Sequence, residues 1–393
     1  MAEPAIIKEY RHRIAQYLNV EDKSVSLFWK GRVAMYAILK AFEIGEGDEV
    51  IIPAFTCVVV PNAIIYTGAK PVYVDIDAST FNVDLSKIES KITSKTKAIL
   101  AQNTFGLSSD IDGIIAIAQK YNLKVIEDCT HGFGGTYKSR LNGTIADASF
   151  FSTQWNKPFS TGIGGIAVVK GEWLEEKMAA YESQAALPTS RDVQILRLLL
   201  LLKEWVITPK TYWFVRKVYR LLSKMNLVVG SSQKEELEGT VLPADFFKAI
   251  SELQAAKGIK ELKKVNALNQ HRRNVAAAYS NLLRKLGAKV PAEPEYATHT
   301  FLKYPLLVKD RKNFEASAAQ HAIELGDWFD SPIHPIKDGF ENWFYKWGEN
   351  PVSERISAHI VNLPTGESIN TKQLQQVLKF LDENQQYLEK EIK

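Results

Sequence analysis

Residues 50–74, VIIPAFTCVVVPNAIIYTGAKPVYV, contain one complete strand–helix–strand unit. The β-rich run Val50–Ile52 is followed by a helix-like stretch, Val58–Tyr66, and a second β-rich run, Val72–Val74, begins after a turn with Gly68 and Pro71. Further strand-like runs lie at 98–100, 125–126, 150–151 and 166–169, and further helix-like stretches lie at 33–42, 85–92 and 111–121. Strands and helices that alternate at this spacing predict an α/β fold with a doubly wound, mainly parallel sheet.

The character of the sequence changes after residue 170. Residues 171–228 are predicted to be helical, and a polar break follows at 230–240. A long helical stretch at 243–286 then leads to a unit that mixes short strands (301–308 and 361–363) with helices (311–325 and 371–389). We therefore predict a large domain at 1–245, with a helical insertion at about 171–240, and a linking helix with a small C-terminal α+β domain at 246–393.

The composition excludes several classes of protein. Of the 393 residues, 46% are hydrophobic and 24% are charged, as in ordinary globular proteins, and a net charge of +4 is too small to indicate a nucleic-acid-binding protein. Two cysteines cannot form a disulfide framework, and the seven histidines lack paired metal-ligand spacing, so no metal is expected. Residues 1–10 lack the apolar core of a signal peptide, and no apolar run is long enough to cross a bilayer. We therefore expect a cytoplasmic protein.

The segment STQWNKPFSTGIGG, residues 152–165, is the strongest candidate for chemistry. It places Lys157 after a predicted strand and before a glycine-rich turn. A lysine held at the end of a strand in an α/β protein can form a Schiff base with a carbonyl group. A solvated loop lysine without a chemical role is the alternative, and the local sequence leaves both open.

Asp128 follows the β-rich residues Val125 and Ile126 and lies at the carboxyl end of a predicted strand, where ligands bind in open α/β sheets. A carboxylate there can pair with a ring nitrogen and keep it protonated, which makes a pyridine ring an electron sink. The same residue could instead cap a helix. Glu127 is expected to point to the opposite face of the strand.

Gly31 and Arg32 stand at the start of the helix predicted at 33–42. The free amides of a helix amino end, next to a glycine and an arginine, form a phosphate site, to which the hydroxyl of Ser152 could add. An ordinary helix start with a surface arginine is the alternative.

The order of these features, a phosphate turn at 31–32, a carboxylate at 128 and a lysine at 157, resembles the DegT/StrS family of sugar aminotransferases. The resemblance is carried by IGEGDEVIIPAFT (44–56), GAKPVYVDIDASTFNVD (68–84), ITSKTKAIL (92–100), VIEDCTHGFGG (125–135), the segment 152–157, SELQAAKG (251–258) and PVSERI…NLPTG (351–366). These proteins are pyridoxal 5′-phosphate (PLP) enzymes of fold type I. The resemblance therefore implies that fold and PLP as the cofactor.

The resemblance also implies a role for each matched residue. Lys157 would be the catalytic residue that forms the Schiff base with PLP, and Asp128 would bind the pyridine nitrogen. The phosphate would be bound by Gly31, Arg32 and Ser152, with Arg32 at a position where threonine is common in the family.

Further matched positions concern the rest of the cofactor. His131 would lie near the phenolic oxygen, and Asn103 would lie near the cofactor, where the family often has histidine. Cys57 replaces an aromatic residue that stacks on the cofactor ring in many members. Phe247–Ile250 replaces an Asn-Tyr-Arg-Met run, in which the asparagine reaches the phosphate of the partner subunit, and Arg32 is a candidate replacement for that contact.

The resemblance predicts an aminotransferase that moves an amino group from glutamate to a keto-sugar, most simply a nucleotide-linked one, for surface polysaccharide or amino-sugar biosynthesis. Lysine at position 157 argues against the dehydrating members, which have histidine there. Two alternatives stay open: an aminotransferase acting on a small phosphorylated ketone such as dihydroxyacetone phosphate, and a non-catalytic sensor or assembly protein that keeps the fold. The fold-type I resemblance further implies a homodimer.

The stretch 195–224 combines leucines, basic residues and aromatic residues. We interpret it as a helical hairpin that covers the active site or the dimer interface, because leucine-rich helices are usually core elements. A membrane-surface or nucleic-acid-binding face is the alternative.

Overall fold

The computed structural model describes residues 3–205, 236–237 and 239–390. Within these residues the strands are β1 (Val25–Phe28), β2 (Glu49–Pro53), β3 (Thr56–Cys57), β4 (Lys70–Val74), β5 (Thr96–Gln102), β6 (Lys124–Asp128), β7 (Thr136–Tyr137), β8 (Arg140–Leu141), β9 (Ala148–Ser152), β10 (Gly165–Val169), β11 (Ala297–Thr298), β12 (Tyr304–Leu307), β13 (Ile333–His334) and β14 (Ile360–Leu363). The α-helices are α1 (Ala5–Leu18), α2 (Gly31–Ala41), α3 (Val59–Ile65), α4 (Leu85–Ile88), α5 (Ile111–Lys120), α6 (Glu172–Gln184), α7 (Ser190–Trp205), α8 (Glu252–Leu262), α9 (Val265–Lys285), α10 (Arg311–Gln320), α11 (Pro351–His359) and α12 (Thr371–Glu383).

Within the described residues, seven strands form the central sheet, in the order β1-β10-β9-β6-β5-β2-β4. Strands β9, β6, β5, β2 and β4 run parallel to one another, and β10 is antiparallel to both β9 and β1. The predicted α/β fold with a mainly parallel sheet is confirmed. Asp128 pairs with Phe150 across β6 and β9, so the carboxyl ends of these two strands meet at the same edge of the sheet.

Helix α2 packs on β9 and β10 and brings its amino end to this edge. Its buried apolar residues recur at three- and four-residue spacing and include Val33, Ala34, Ala37, Ile38 and Ala41. The alanines on this face let the helix approach the sheet closely. The approach is so close that a Cβ added at Gly31 would lie 2.8 Å from the Cβ of Ser152.

The structure contains two elements before α2, namely α1 and β1, that were not predicted from the sequence. Helix α1 buries Ile7, Tyr10, Ile14 and Leu18, which share one face, and packs against α8. Strand β1 is buried along its whole length and pairs with β10 at the edge of the sheet.

The predicted helical insertion is described in part. Helices α6 and α7 lie within it, and its residues 206–235, with most of the stretch 195–224, lie outside the described residues. Helix α7 exposes Leu198, Leu201 and Leu202. Among the helices of the described residues, none has both the length and the apolar character needed to span a bilayer.

The single helical stretch predicted at 243–286 is wrong. Residues 243–251 are not helical, and two helices, α8 and α9, follow with a break at residues 263–264. Ser251 and Gln254 form a capping box, in which the side chain of each accepts a hydrogen bond from the backbone N–H of the other. This reciprocal pair fixes the start of α8.

The C-terminal part of the chain has an apolar core of its own. Strands β12 and β14 are antiparallel, and they pack with α9, α10 and α12 around side chains such as Phe314 and Phe380. The strand predicted at 301–308 is shorter than expected, since Phe301 has a φ of 49°, and the helix predicted at 311–325 ends early, before Ala322 with a φ of 53°. The domain boundary at 245/246 stays a prediction.

Candidate active site

A cavity of about 280 Å³ lies at the carboxyl ends of β6 and β9. The amino end of α2, the loop after β9, the region of β3 and a segment of the C-terminal part form its walls. The residues that line it are Lys30, Gly31, Arg32, Thr56, Cys57, Val59, Val60, Gln102, Asp128, Thr130, His131, Phe150, Ser152, Gln154, Lys157, Ile163, Gly164, Leu237, Trp328, Phe329, His334 and Pro335. The cavity therefore brings together all the predicted site residues except Asn103.

Asp128 is the last residue of β6, and its side chain is buried in the wall of the cavity. Its Oδ1 accepts a 2.9 Å hydrogen bond from the backbone N–H of Thr130. Burial raises the pKa of this carboxyl, whereas the hydrogen bonds from Thr130 and the charge of Lys157 act to lower it. Within the described part of the chain Asp128 forms no ion pair, so the carboxylate is available to a ligand.

Lys157 lies in the loop between β9 and β10, with its ammonium group in the cavity. The Nζ atom is 4.6 Å from the centroid of the indole ring of Trp328. Burial lowers the pKa of Lys157 to about 8, although the nearby charge of Asp128 acts to raise it. A lysine with a pKa this close to neutrality has a substantial uncharged fraction, which is the nucleophilic form.

The amino end of α2 forms a narrow anion-binding cradle. No side chain caps this helix, so its first amides are not used by a capping group. Gly31 has no room for a side chain against Ser152, and a Cβ at Gly165 would lie 2.2 Å from the backbone oxygen of Lys30. Small residues and unused amides at a helix amino end are what a phosphate group needs.

Arg32 is buried at the same end of the cavity and forms an ion pair with Glu236, which is also buried. The backbone oxygen of Glu236 accepts a 2.8 Å hydrogen bond from Nδ2 of Asn62, and the next residue, Leu237, lines the cavity. The end of the insertion therefore closes over the amino end of α2, a contact that the sequence did not reveal.

His131 is buried and neutral. Burial lowers the pKa of its imidazole far below the usual value, and the charges of Lys157 and Lys303 act in the same direction. Its Nδ1 lies 3.2 Å from the backbone N–H of Phe105 and accepts a hydrogen bond from it. The remaining proton of the neutral ring is thereby assigned to Nε2, which makes His131 a hydrogen-bond donor.

Cys57 and Asn103 occupy different surroundings. Cys57 lines the cavity, where burial raises the pKa of its thiol. Asn103 is buried outside the cavity lining, where its Nδ2 donates a 2.9 Å hydrogen bond to Glu127 and its Oδ1 accepts a 3.0 Å hydrogen bond from the backbone N–H of Ser109. These hydrogen bonds connect Asn103 to Glu127 and to the backbone of Ser109.

Three of the residues that line the cavity, Trp328, Phe329 and Pro335, were not predicted from the sequence. Strand β13 runs parallel to β3, which brings Trp328, Phe329, His334 and Pro335 to the cavity. Nδ1 of His334 is 2.7 Å from Oδ1 of Asp330. The run of aromatic residues in this segment was the signal available in the sequence.

The arrangement suits an organic anion better than a metal ion. Among the residues that the structure describes, no group of three or more metal-ligating side chains is close enough to hold a metal. The cavity instead combines a half-buried amine, a buried carboxylate, an imidazole donor and an anion cradle. A planar ligand with a carbonyl group at one side and a phosphate at one end would satisfy all four.

Comparisons with known proteins lead to the family that the sequence resembles. The sequence matches the DegT/DnrJ/EryC1/StrS aminotransferase family over residues 5–196 and 220–382. It is 27% identical to the GDP-perosamine synthase of Escherichia coli O157:H7 over 96% of this chain and 89% of that protein. It is 30% identical to a dTDP-3-amino-3,6-dideoxy-alpha-D-galactopyranose transaminase from Aneurinibacillus thermoaerophilus, over 90% of this chain and 83% of that protein.

A solved structure gives the same result for the fold. The NtdA protein of Bacillus subtilis with its bound cofactor PMP superposes with a TM-score of 0.74, at 24% identity, over 97% of this chain and 77% of that chain. The predicted family, the predicted fold and the predicted enzyme class are confirmed. The chain belongs to the DegT/DnrJ/EryC1/StrS aminotransferase family.

Proposed function

We propose that this chain is a PLP-dependent aminotransferase that moves an amino group from glutamate to a nucleotide-linked keto-sugar, for the synthesis of amino sugars and surface polysaccharide. The observation that carries the proposal is the cavity that the half-buried Lys157 and the buried Asp128 both line, without an ion pair within the described residues. Two charges of opposite sign that are largely removed from water without an ion pair are costly for a protein to keep unless a ligand uses them.

The residues of the cavity fit PLP at each of its functional groups. The cradle at Gly31 accommodates a phosphate, to which Arg32 adds a positive charge and Ser152 a hydroxyl group. The buried carboxylate of Asp128 suits a protonated pyridine nitrogen. The Nε2–H of His131 suits an oxygen atom on the ring.

The chemistry follows from the protonation states of these groups. When bound, PLP supplies an electron sink for the charge that develops at the substrate carbon. The carboxylate of Asp128 would hold a proton on the ring nitrogen, because opposite charges attract more strongly in a buried site than in water. Lys157, whose pKa is lowered to about 8, can take a proton from the substrate carbon and return one near neutral pH.

The acceptor class is supported by the names of the relatives. Two of them are named for GDP- and dTDP-linked sugars, and both align with 90% or more of this chain. A nucleotide-linked sugar is a large anion, and Lys30, Arg32 and His334 line the same cavity. The proposal includes a homodimer, as the family resemblance implies, and a location in the cytoplasm, as expected from the sequence.

The first test locates the cofactor. The protein is loaded with PLP, reduced with borohydride and digested, and mass spectrometry should find the phosphopyridoxyl label on the peptide with Lys157. The Lys157→Ala variant is the control and should give no labelled peptide at this site. A label on a different lysine would contradict the assignment.

The second test identifies the substrates. Glutamate should shift the absorbance of the bound cofactor to shorter wavelength, and a nucleotide-linked keto-sugar should reverse the shift. The panel contains UDP-, GDP- and dTDP-linked keto-sugars and dihydroxyacetone phosphate. Reversal by dihydroxyacetone phosphate alone would replace the sugar acceptor with a small phosphorylated ketone.

Light scattering that finds a fully active monomer would refute the homodimer.

A further inference from the structure

The indole ring of Trp328 contacts two of the residues that the proposed function assigns to the cofactor. Its centroid lies 4.8 Å from the centroid of the His131 ring, and the two planes differ by only 6°. The Nζ atom of Lys157 is 4.6 Å from the same indole centroid. We propose that Trp328 provides the aromatic surface on which the pyridine ring of PLP stacks. This inference rests on the proposed function, because it requires PLP at Lys157.

Among the described residues that line the cavity, the indole and phenyl rings belong to Phe150, Trp328 and Phe329. Phe150 is buried in the core between the sheet and α2. Phe329 is buried as well, and it packs against Phe55 and Phe105 with centroid distances of 5.2 and 5.8 Å. Both phenyl rings are therefore packed in the core, whereas the half-buried Trp328 can present part of its surface to a ligand.

Two hydrogen bonds with one side chain, that of Asn362, hold the backbone of Trp328. Its N–H donates a 3.0 Å hydrogen bond to Oδ1 of Asn362, and Nδ2 of the same asparagine donates a 2.6 Å hydrogen bond to its carbonyl oxygen. Asn362 is fully buried in β14. Because this backbone is already ordered, no backbone entropy is lost when the side chain packs against a ligand.

The same segment is attached to the strand that ends in Cys57. The backbone N–H of Thr56 donates a 2.9 Å hydrogen bond to the oxygen of Pro332, and Cys57 pairs with His334 in the short parallel sheet of β3 and β13. The segment therefore brings an indole to a cavity in which residue 57 offers only a thiol. This pairing explains how the cavity can provide an aromatic surface without an aromatic residue at position 57.

The electrostatics of this position suit an anionic, electron-poor ring. The Nζ atom of Lys303 is 5.3 Å from the indole centroid, so two lysines, Lys157 and Lys303, flank Trp328. An indole stacks well on an electron-poor ring, and aromatic pairs of this kind change affinity by about 3- to 10-fold. An aliphatic side chain of similar size does not provide this interaction.

The experiment compares Trp328→Phe, Trp328→Leu and Trp328→Ala with the parent protein. PLP is titrated into each apoprotein, and the dissociation constant and the visible circular dichroism of the bound cofactor are recorded. We expect Trp328→Phe to stay within about 2-fold of the parent, and the Leu and Ala variants to bind PLP about 3- to 10-fold more weakly with a reduced dichroic signal. Trp347→Leu, at an indole that is 60% exposed and outside the cavity lining, should match the parent.

The results separate this inference from the proposed function. If Trp328→Leu and Trp328→Ala bind PLP as tightly as the parent, with the same dichroic signal, the stacking role is wrong while the aminotransferase function stands. If the parent itself does not bind PLP, both are wrong. Equal losses in the Phe, Leu and Ala variants, accompanied by lower melting temperatures of the apoproteins, would also overturn stacking in favour of a packing role.

Discussion

Arg272, on helix α9, donates a 3.0 Å hydrogen bond from Nη2 to the backbone oxygen of Pro158, the residue that follows Lys157. Its Nη1 donates a second hydrogen bond, of 2.7 Å, to Oδ1 of Asn269, which in turn donates from Nδ2 to the oxygen of Phe133. The guanidinium is buried, and burial lowers its pKa to about 10. Helix α9 thereby holds the loop that carries Lys157.

We expect Arg272→Met to lower the free energy of unfolding by about 1–3 kcal/mol, because the buried acceptors on Pro158 and Asn269 lose their donor. Chemical denaturation of the apoprotein measures this loss. Arg273→Met is the matched control, since Arg273 makes a surface hydrogen bond to Gln270, and it should change the same free energy by less than about 0.5 kcal/mol. Equal effects of the two substitutions would mean that the hydrogen bonds of Arg272 do not stabilise the loop at Pro158.

The lowered pKa of Lys157 predicts a pH dependence of its reactivity. The uncharged amine reacts with aldehydes, and with a pKa of about 8 its fraction rises about tenfold per pH unit below pH 8 and levels off above it. Reductive methylation of the apoprotein with formaldehyde, followed by mass spectrometry of the Lys157 peptide, measures this profile. Free acetyl-lysine in the same reaction should level off only near its own pKa of about 10.4.

The Asp128→Asn variant tests whether the carboxylate of Asp128 raises or lowers the pKa of Lys157. Because the carboxylate of Asp128 acts to raise the pKa of Lys157, its removal should shift the labelling profile of Lys157 to lower pH. The same labelling experiment, carried out without PLP, measures the shift. A profile that moves to higher pH, or that is unchanged, would mean that Asp128 does not act on Lys157.

Gly31→Ala should weaken PLP binding by about 10-fold or more, because the added Cβ would lie 2.8 Å from the Cβ of Ser152 and would push α2 away from the cradle. Gly366→Ala is the control, since a Cβ at Gly366 has no heavy atom within 4 Å. PLP titration of both apoproteins makes the comparison. Normal PLP affinity in Gly31→Ala would place the phosphate away from this helix end.

The sheet and the groups at its carboxyl edge were predictable because they depend on local periodicity. Strands of alternating or continuous apolar residues, separated by helices, specify which residues end a strand, and parallel strands place their ends together. Asp128 could be singled out in this way as the end of a strand, and Lys157 as a lysine in the loop that follows a strand. Helix α1 was equally readable, since Ile7, Tyr10, Ile14 and Leu18 are spaced by three or four residues, but the prediction did not include it.

The rest of the cavity depends on contacts between distant parts of the chain. Trp328 reaches the cavity because β13 pairs with β3, and Arg32 is covered because the distant Glu236 pairs with it. Neither contact has a local pattern that predicts it. Such positions are fixed by tertiary packing between distant segments, which the periodicity along the chain does not reveal.

Asn103 is the position where a matched motif and the structure differ, and a variant can decide its role. The amide of Asn103 connects the buried carboxylate of Glu127 to the backbone N–H of Ser109. Burial raises the pKa of the Glu127 carboxyl. Glu127 also accepts a 2.8 Å hydrogen bond from the backbone N–H of Gly143. Asn103→Ala removes one donor from Glu127 and leaves the buried backbone N–H of Ser109 without a partner, so we expect the free energy of unfolding to fall by about 1–3 kcal/mol. The PLP dissociation constant should stay within about 2-fold of the parent, because Asn103 does not line the cavity. Urea unfolding and PLP titration of the same preparation test both statements, and a 10-fold loss of PLP affinity at unchanged stability would instead return Asn103 to the cofactor.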